Sequence, residues 1–284
     1  MIASAVLNMI LDPIFIYTFN LGVRGAAIAT IISAVFVIAV LVYWFYVKKD
    51  TYLKPYWGNF NFKRDISTDV VKVGIPASVQ LLNNAFFAAL FSALLAYVGS
   101  ADSVAVYSTG WRIVTIGTTP LLAIGTALIS IIAANYGAKN FKNIQIAHRY
   151  AMKVSIVIAI VVAFLTNFFA GDIASIFASS GSSVRIAPEL TSFLAWIVIY
   201  YPTMAVGVAS TYVFQGIGMG ITAMFQTIMR ETGFTILFAY LFAVVLGYGV
   251  WGAWMGIVLG EIVSNNITMF WADWKIKKLM DIND

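Results

Sequence analysis

Cysteine is absent from the 284 residues, so the chain forms no disulfide and offers no thiolate to a metal. Histidine occurs once, which leaves His148 without a second imidazole for a metal centre. Charged residues make up only 10% of the chain, against about 25% in soluble domains, and that scarcity excludes a soluble globular protein. The net charge of +5 does not mark a nucleic-acid surface, because the basic residues fall in short clusters between apolar runs. There is no nucleophile motif, no histidine-rich metal set and no phosphate loop, so the reading is not an enzyme and expects no cofactor. The first 20 residues have no basic stretch ahead of the apolar run, and Asp12 interrupts it, so no cleaved signal peptide is expected.

What the chain has is apolar length. Hydrophobic residues reach 61%, and no charge occurs in 25–47, 73–101, 113–138, 154–171, 190–229 or 232–260. A hydrocarbon core about 30 Å thick needs roughly 20 apolar residues of helix, and open sheet edges cannot be satisfied there. The fold class is an all-α polytopic membrane protein. Helices are expected near 1–19, 23–47, 66–97, 102–135, 141–169, 188–215, 221–246 and 250–274, about eight transmembrane helices in all. On that layout 14 of the 17 basic residues fall on one side, Arg230 among them. The positive-inside rule then puts both termini in the cytoplasm of a multi-pass protein of the cell membrane. The segment 48–65 mixes Tyr52, Tyr56, Trp57 and Phe60 with lysines and reads as an interfacial cytoplasmic linker.

The first two helices resemble the last two. Gly22-Val23-Arg24-Gly25-Ala26-Ala27 lines up with Gly249-Val250-Trp251-Gly252-Ala253-Trp254, each after one apolar helix. Internal repeats are a common transporter device. If the copies are real, 66–274 is a complete six-helix unit and 1–47 is the tail of an earlier one. Chance recurrence of small residues at helix starts is the other account.

The run Asn8-Met9-Ile10-Leu11-Asp12-Pro13-Ile14-Phe15-Ile16, followed by Gly22 to Thr30, resembles the end of the first lobe of the MATE family of multidrug and toxin extrusion transporters. Gly74-Ile75-Pro76-Ala77-Ser78 resembles the start of that family's second lobe, and Gly216-Ile217-Gly218 the turn before its eleventh helix. The resemblance implies a MATE-like two-lobe helical bundle, N-terminally truncated, equivalent to helices five to twelve with the first four absent. Its domains would be 1–47, the last two helices of the first lobe; 48–65, the linker; 66–274, the second lobe; and 275–284, a cytoplasmic tail. The implied function is secondary active export of organic, often cationic compounds by H+ or Na+ antiport. The partners are small organic molecules, the lipid bilayer and a missing N-terminal fragment, with no nucleic acid. The alternatives are a lipid or lipid-linked oligosaccharide flippase of the same superfamily, or an inactive remnant.

Asp12 lies inside an apolar helix, where a bare carboxylate costs several kcal/mol. Asn8 is one turn earlier on the same face. One account makes Asp12 a partner for backbone freed by Pro13. The other makes Asn8, Asp12 and Thr30 a hard-oxygen cation site or a protonatable cluster. The resemblance, to the DinF-like branch, implies that Asn8, Asp12 and Thr30 couple transport to a cation, with Na+ at Asp12 the one metal ion the reading allows. Gln80, Asn83 and Asn84 share a broad helix face, as cavity wall or as interhelical hydrogen-bonding groups. Tyr201 and Met204 are candidates for an aromatic and thioether cavity or for ordinary core. Pro13, Pro76, Pro120 and Pro202 mark expected helix kinks. The stretches 73–101 and 190–229 carry no carboxylate, so a second-lobe acidic ion site is not expected. His148 is read as a surface residue. Glu261 is read as buried, with Asn265 one turn on.

Overall fold

A computed structural model describes residues 2–48, 63–177 and 181–281. The expected linker at 48–65 lies almost entirely outside the described residues. The chain divides into two compact units, Met1–Lys63 and Arg64–Asp284.

The first unit is a helical hairpin. α1 (Ile2–Pro13) runs into a π-helical turn, Ile14–Thr18, and α2 (Val23–Tyr43) ends in another, Trp44–Lys48. Proline has no N–H to give the helical ladder, and the wider π turn begins one residue after Pro13. The chain reverses at Gly22, whose φ of +53° suits glycine. Gly25 then lies against the backbone of Phe15, where a Cβ would come within 2.5 Å of the carbonyl oxygen. Ser4 donates to the Ser33 carbonyl at 3.1 Å and ties the other end of the hairpin.

The second unit contains α3 (Arg64–Val98), α4 (Ala101–Gly137), α5 (Phe141–Phe168), the short α6 (Ala170–Phe177), α7 (Ala187–Trp196), α8 (Tyr200–Gly216), α9 (Gly220–Ile228), α10 (Ile236–Tyr240) and α11 (Gly249–Asp281). A 3-10 turn, Ile197–Ile199, joins α7 to α8, and π-helical stretches Met229–Thr235 and Leu241–Val245 follow α9 and α10. The charge-free run 190–229 explains which helix is central. α8 packs on α4, α5 and α11, and the span that it completes, Val184–Gly216, is 56% buried over its most apolar stretch, against 17–28% for the other long apolar spans. The helix runs unbroken through Pro76 and Pro120, whereas Pro202 sits in the first turn of α8 just after the 3-10 turn.

The repeat read from the sequence has a structural counterpart, position for position. The π turn Ile14–Thr18 matches Leu241–Val245. Gly22 at φ +53° matches Gly249 at φ +57°. Gly25 on the Phe15 backbone matches Gly252 on the Phe242 backbone. Leu21 N–H donates to Phe15 O at 3.2 Å, and Tyr248 N–H to Phe242 O at 3.1 Å. The same small-residue sequence builds the same close helix approach twice.

The expected count of about eight transmembrane helices is corrected. Among the described residues six helices are long and apolar enough to span a bilayer: Val23–Lys48, Val70–Val98, Ala101–Gly137, Phe141–Phe168, Val184–Gly216 and Gly220–Val245. The first helix, Ser4–Thr18, is shorter. α11 is long, but Glu261, Asn265 and Asn266 make it more polar, and it buries Glu261 and Asn265 against protein instead. The chain is a multi-pass membrane protein.

Candidate functional site

Between the charge gaps 190–229 and 232–260 stand two isolated charges, Arg230 and Glu231. The sequence reading placed Arg230 beside a cytoplasmic connection. The structure corrects that: Arg230 is largely enclosed in the middle of the apolar helix Gly220–Val245, in its π-helical stretch. Its Nη2 donates to Glu231 Oε1 at 2.9 Å, and its Nη1 lies 3.5 Å from Glu261 Oε2 on α11. The side chains of Arg230, Glu231 and Glu261 keep only 14%, 15% and 5% of their surface exposed. A π turn is wider than an α turn, and such turns recur at functional sites. Here it carries neighbouring residues of opposite charge into one interhelical space.

Amides and hydroxyls complete the cluster. Asn83 on α3 donates to Glu231 Oε2 at 2.9 Å and accepts from Thr232 at 2.7 Å. With its amide turned so that nitrogen faces the carboxylate, Asn84 donates to both Glu231 oxygens, at 2.5 and 3.0 Å. Asn265 donates to Glu261 Oε2 at 2.7 Å. One guanidinium therefore faces two carboxylates, and the cluster carries one net negative charge when all three are ionised. It borders a cavity of about 240 Å³ walled by Phe87, Trp111, Tyr200 and Met204.

The candidate residues divide accordingly. Asn84 and Met204 line the cavity, and Asn83 holds Glu231. Gln80 accepts from Gln215 of α8 at 3.3 Å. Tyr201 does not line this cavity; it is buried, with Thr166 donating to its hydroxyl at 3.4 Å, while its neighbour Tyr200 faces the cavity. The 100° step between adjacent helical residues sends the two rings to different neighbours. In the first unit Asn8 donates to Asp12 Oδ1 at a long 3.4 Å. Thr30 is exposed and donates to its own helix, to Ala26 O at 2.9 Å. Among the described residues no group of three or more His, Asp or Glu side chains gathers as a metal site.

Sequence reasoning missed Glu231 as a site residue. The available signal was an Arg-Glu pair standing alone within 71 residues of otherwise uncharged sequence. His148 is also corrected: it is fully buried between helices, not on the surface.

A family model described as MatE matches residues 76–241. The probable multidrug resistance protein YpnP of Bacillus subtilis is 30% identical over 97% of this chain and 61% of its own length. The multidrug export protein MepA of Staphylococcus aureus is 26% identical over 84% of this chain and 49% of its own. A crystal structure of MATE in complex with MaL6 superposes with a TM-score of 0.95 at 33% identity, covering 99% of this chain and 62% of that one. The chain thus spans about half to three fifths of the length of the proteins it matches. These matches overturn the description of the chain as an N-terminally truncated, DinF-like fragment with four helices absent. Practically the whole chain superposes as MATE fold, and the relatives carry the family without the branch.

Proposed function

The chain belongs to the MatE family, and from that membership together with the cavity of the second unit we propose that it is a secondary active transporter exporting organic cations in exchange for H+ or Na+. The observation that carries the reading is the cavity's chemistry. Aromatic faces of Phe87, Trp111 and Tyr200 attract a delocalised cation, and Met204 supplies adaptable apolar contact. Glu231 and Glu261 outnumber Arg230, so the site favours one added positive charge. A volume of about 240 Å³ suits a cationic head group rather than a whole drug-sized molecule, whose pockets run from roughly 300 Å³ upward. YpnP, a probable multidrug resistance protein, and MepA, a multidrug export protein, agree with this class of substrate.

On this reading Asn8 and Asp12, with Thr30 on the neighbouring helix, form a cation-coupling group of the first unit. The domain assignment 1–47, 48–65, 66–274 and 275–284 and cytoplasmic placement of both termini belong to the same proposal. Moving Arg230 into a span leaves 13 basic residues on the cytoplasmic side, which preserves the bias. A flippase for phosphate-bearing lipids is disfavoured, because Arg230 is already engaged by two carboxylates.

The test is efflux of a fluorescent organic cation from liposomes containing the purified chain, driven by a pH or a Na+ gradient. Glu231→Gln and Glu261→Gln should each reduce gradient-driven efflux at least tenfold. Full efflux in both variants would sink the reading.

A further inference from the structure

We propose that His148 and Asp273 bind one proton between them, at a site separate from the cavity. His148 belongs to α5 and is fully buried. Its Nε2 lies 3.2 Å from Ser210 Oγ on α8, and its Nδ1 lies 3.5 Å from Asp273 Oδ1 on α11. Neither Nδ1 nor Oδ1 has a hydrogen-bond partner.

The proposal rests on where the Ser210 hydroxyl proton goes. A serine hydroxyl has a single proton, and that of Ser210 is donated to the Val206 carbonyl at 2.8 Å. With its proton placed there, the hydroxyl oxygen accepts from the ring and Nε2 carries the ring proton. In neutral imidazole Nδ1 is then a bare lone pair. An ionised Asp273 would set a second lone pair against it inside a helix interface. Two acceptors facing each other without a donor are unfavourable in a low-dielectric interior. One added proton removes the conflict, whether it resides on the imidazole or on the carboxyl group, and draws the 3.5 Å separation into hydrogen-bond range.

The surroundings suit a site for a single proton. The charged groups bearing on the ring are Asp273 of α11 and Arg149 of its own helix. α8 contributes none, since 190–229 is uncharged, and the stretch 113–138 of α4 is uncharged too. Asp273 keeps 31% of its side-chain surface accessible, which gives the proton a route to the buried ring. Glu261 lies twelve residues earlier on α11, about 18 Å along the helix axis, so the pair is distinct from the cavity cluster. The bound proton would fasten α5, α8 and α11 together at one end of the unit.

The single histidine makes the experiment direct, because 15N-histidine labelling of the full chain in detergent gives one imidazole signal. We expect Nδ1 to report a bound or hydrogen-bonded proton at acid pH and to lose it in one step as the pH is raised through a titration from roughly pH 4 to 9. Asp273→Asn should abolish that step. The proposal is overturned if wild-type Nδ1 shows no step, whether it stays bare or stays protonated throughout the titration, or if Asp273→Asn titrates as wild type does. Should that variant fail to fold, the wild-type spectrum alone decides.

Discussion

Replacing Arg230 by methionine tests the charge balance of the cavity. The guanidinium is 2.9 Å from Glu231 Oε1 and 3.5 Å from Glu261 Oε2. At an effective dielectric constant of about 20, each pair is worth about 5 kcal/mol before desolvation is counted. Releasing the guanidinium from burial returns several kcal/mol, and loss of one partner from a buried ion pair nets about 3–5 kcal/mol of destabilisation. Arg230→Met leaves two carboxylates in one cavity and should show that full cost. Its melting temperature, followed by tryptophan fluorescence of the detergent-purified chain, should fall on the order of 10 °C. The pair Arg230→Met with Glu231→Gln restores the wild-type net charge of the cluster. It should recover a substantial part of the loss, giving a coupling energy of about 1–3 kcal/mol in the double-mutant cycle. A single variant as stable as wild type, or a double variant no better than the single, would refute the reasoning.

Three further outcomes follow from individual contacts. Gly207→Ala on α8 places a Cβ into Asn265 Oδ1, whose amide is fixed by its bond to Glu261, so thermal stability should drop by about 1–3 kcal/mol, and Asn265→Ala in the same chain should relieve much of it. Asn83→Ala removes a donor from Glu231 and an acceptor from Thr232 and should cost about 1–3 kcal/mol in the same melt, whereas Tyr201→Phe removes only a 3.4 Å contact with Thr166 and should cost less than about 1 kcal/mol. In liposomes, Asp12→Asn should abolish gradient-coupled efflux while leaving the melting temperature near wild type, because its one side-chain bond, to Asn8, is long; unchanged coupling would return Asp12 to a structural role beside Pro13.

Much of the fold was legible because the bilayer imposes a one-dimensional rule. Uninterrupted apolar length makes helices, and the runs free of charge marked nearly every helix of both units. The Gly22 and Gly249 motifs likewise carried the repeat, since a positive φ and a close backbone approach both require a residue without a side chain. Pairing across helices was not legible. Arg230 read as a topology marker because a charge near the end of a hydropathy gap looks the same whether it faces water or a carboxylate. Only the packing of α11 beside the π turn supplies Glu261 as its counter-charge. His148 read as exposed because Gln145 and Arg149 flank it, yet helical rotation turns its face into the interface where Ser210 and Asp273 meet it. Tyr200 and Tyr201 exchanged roles for the same reason, as did the membrane character of α11, whose polar residues are tolerated because other helices cover them. Composition and periodicity determine where the helices are. Which polar groups meet is decided by helix rotation and contact, and those depend on side chains distant in sequence.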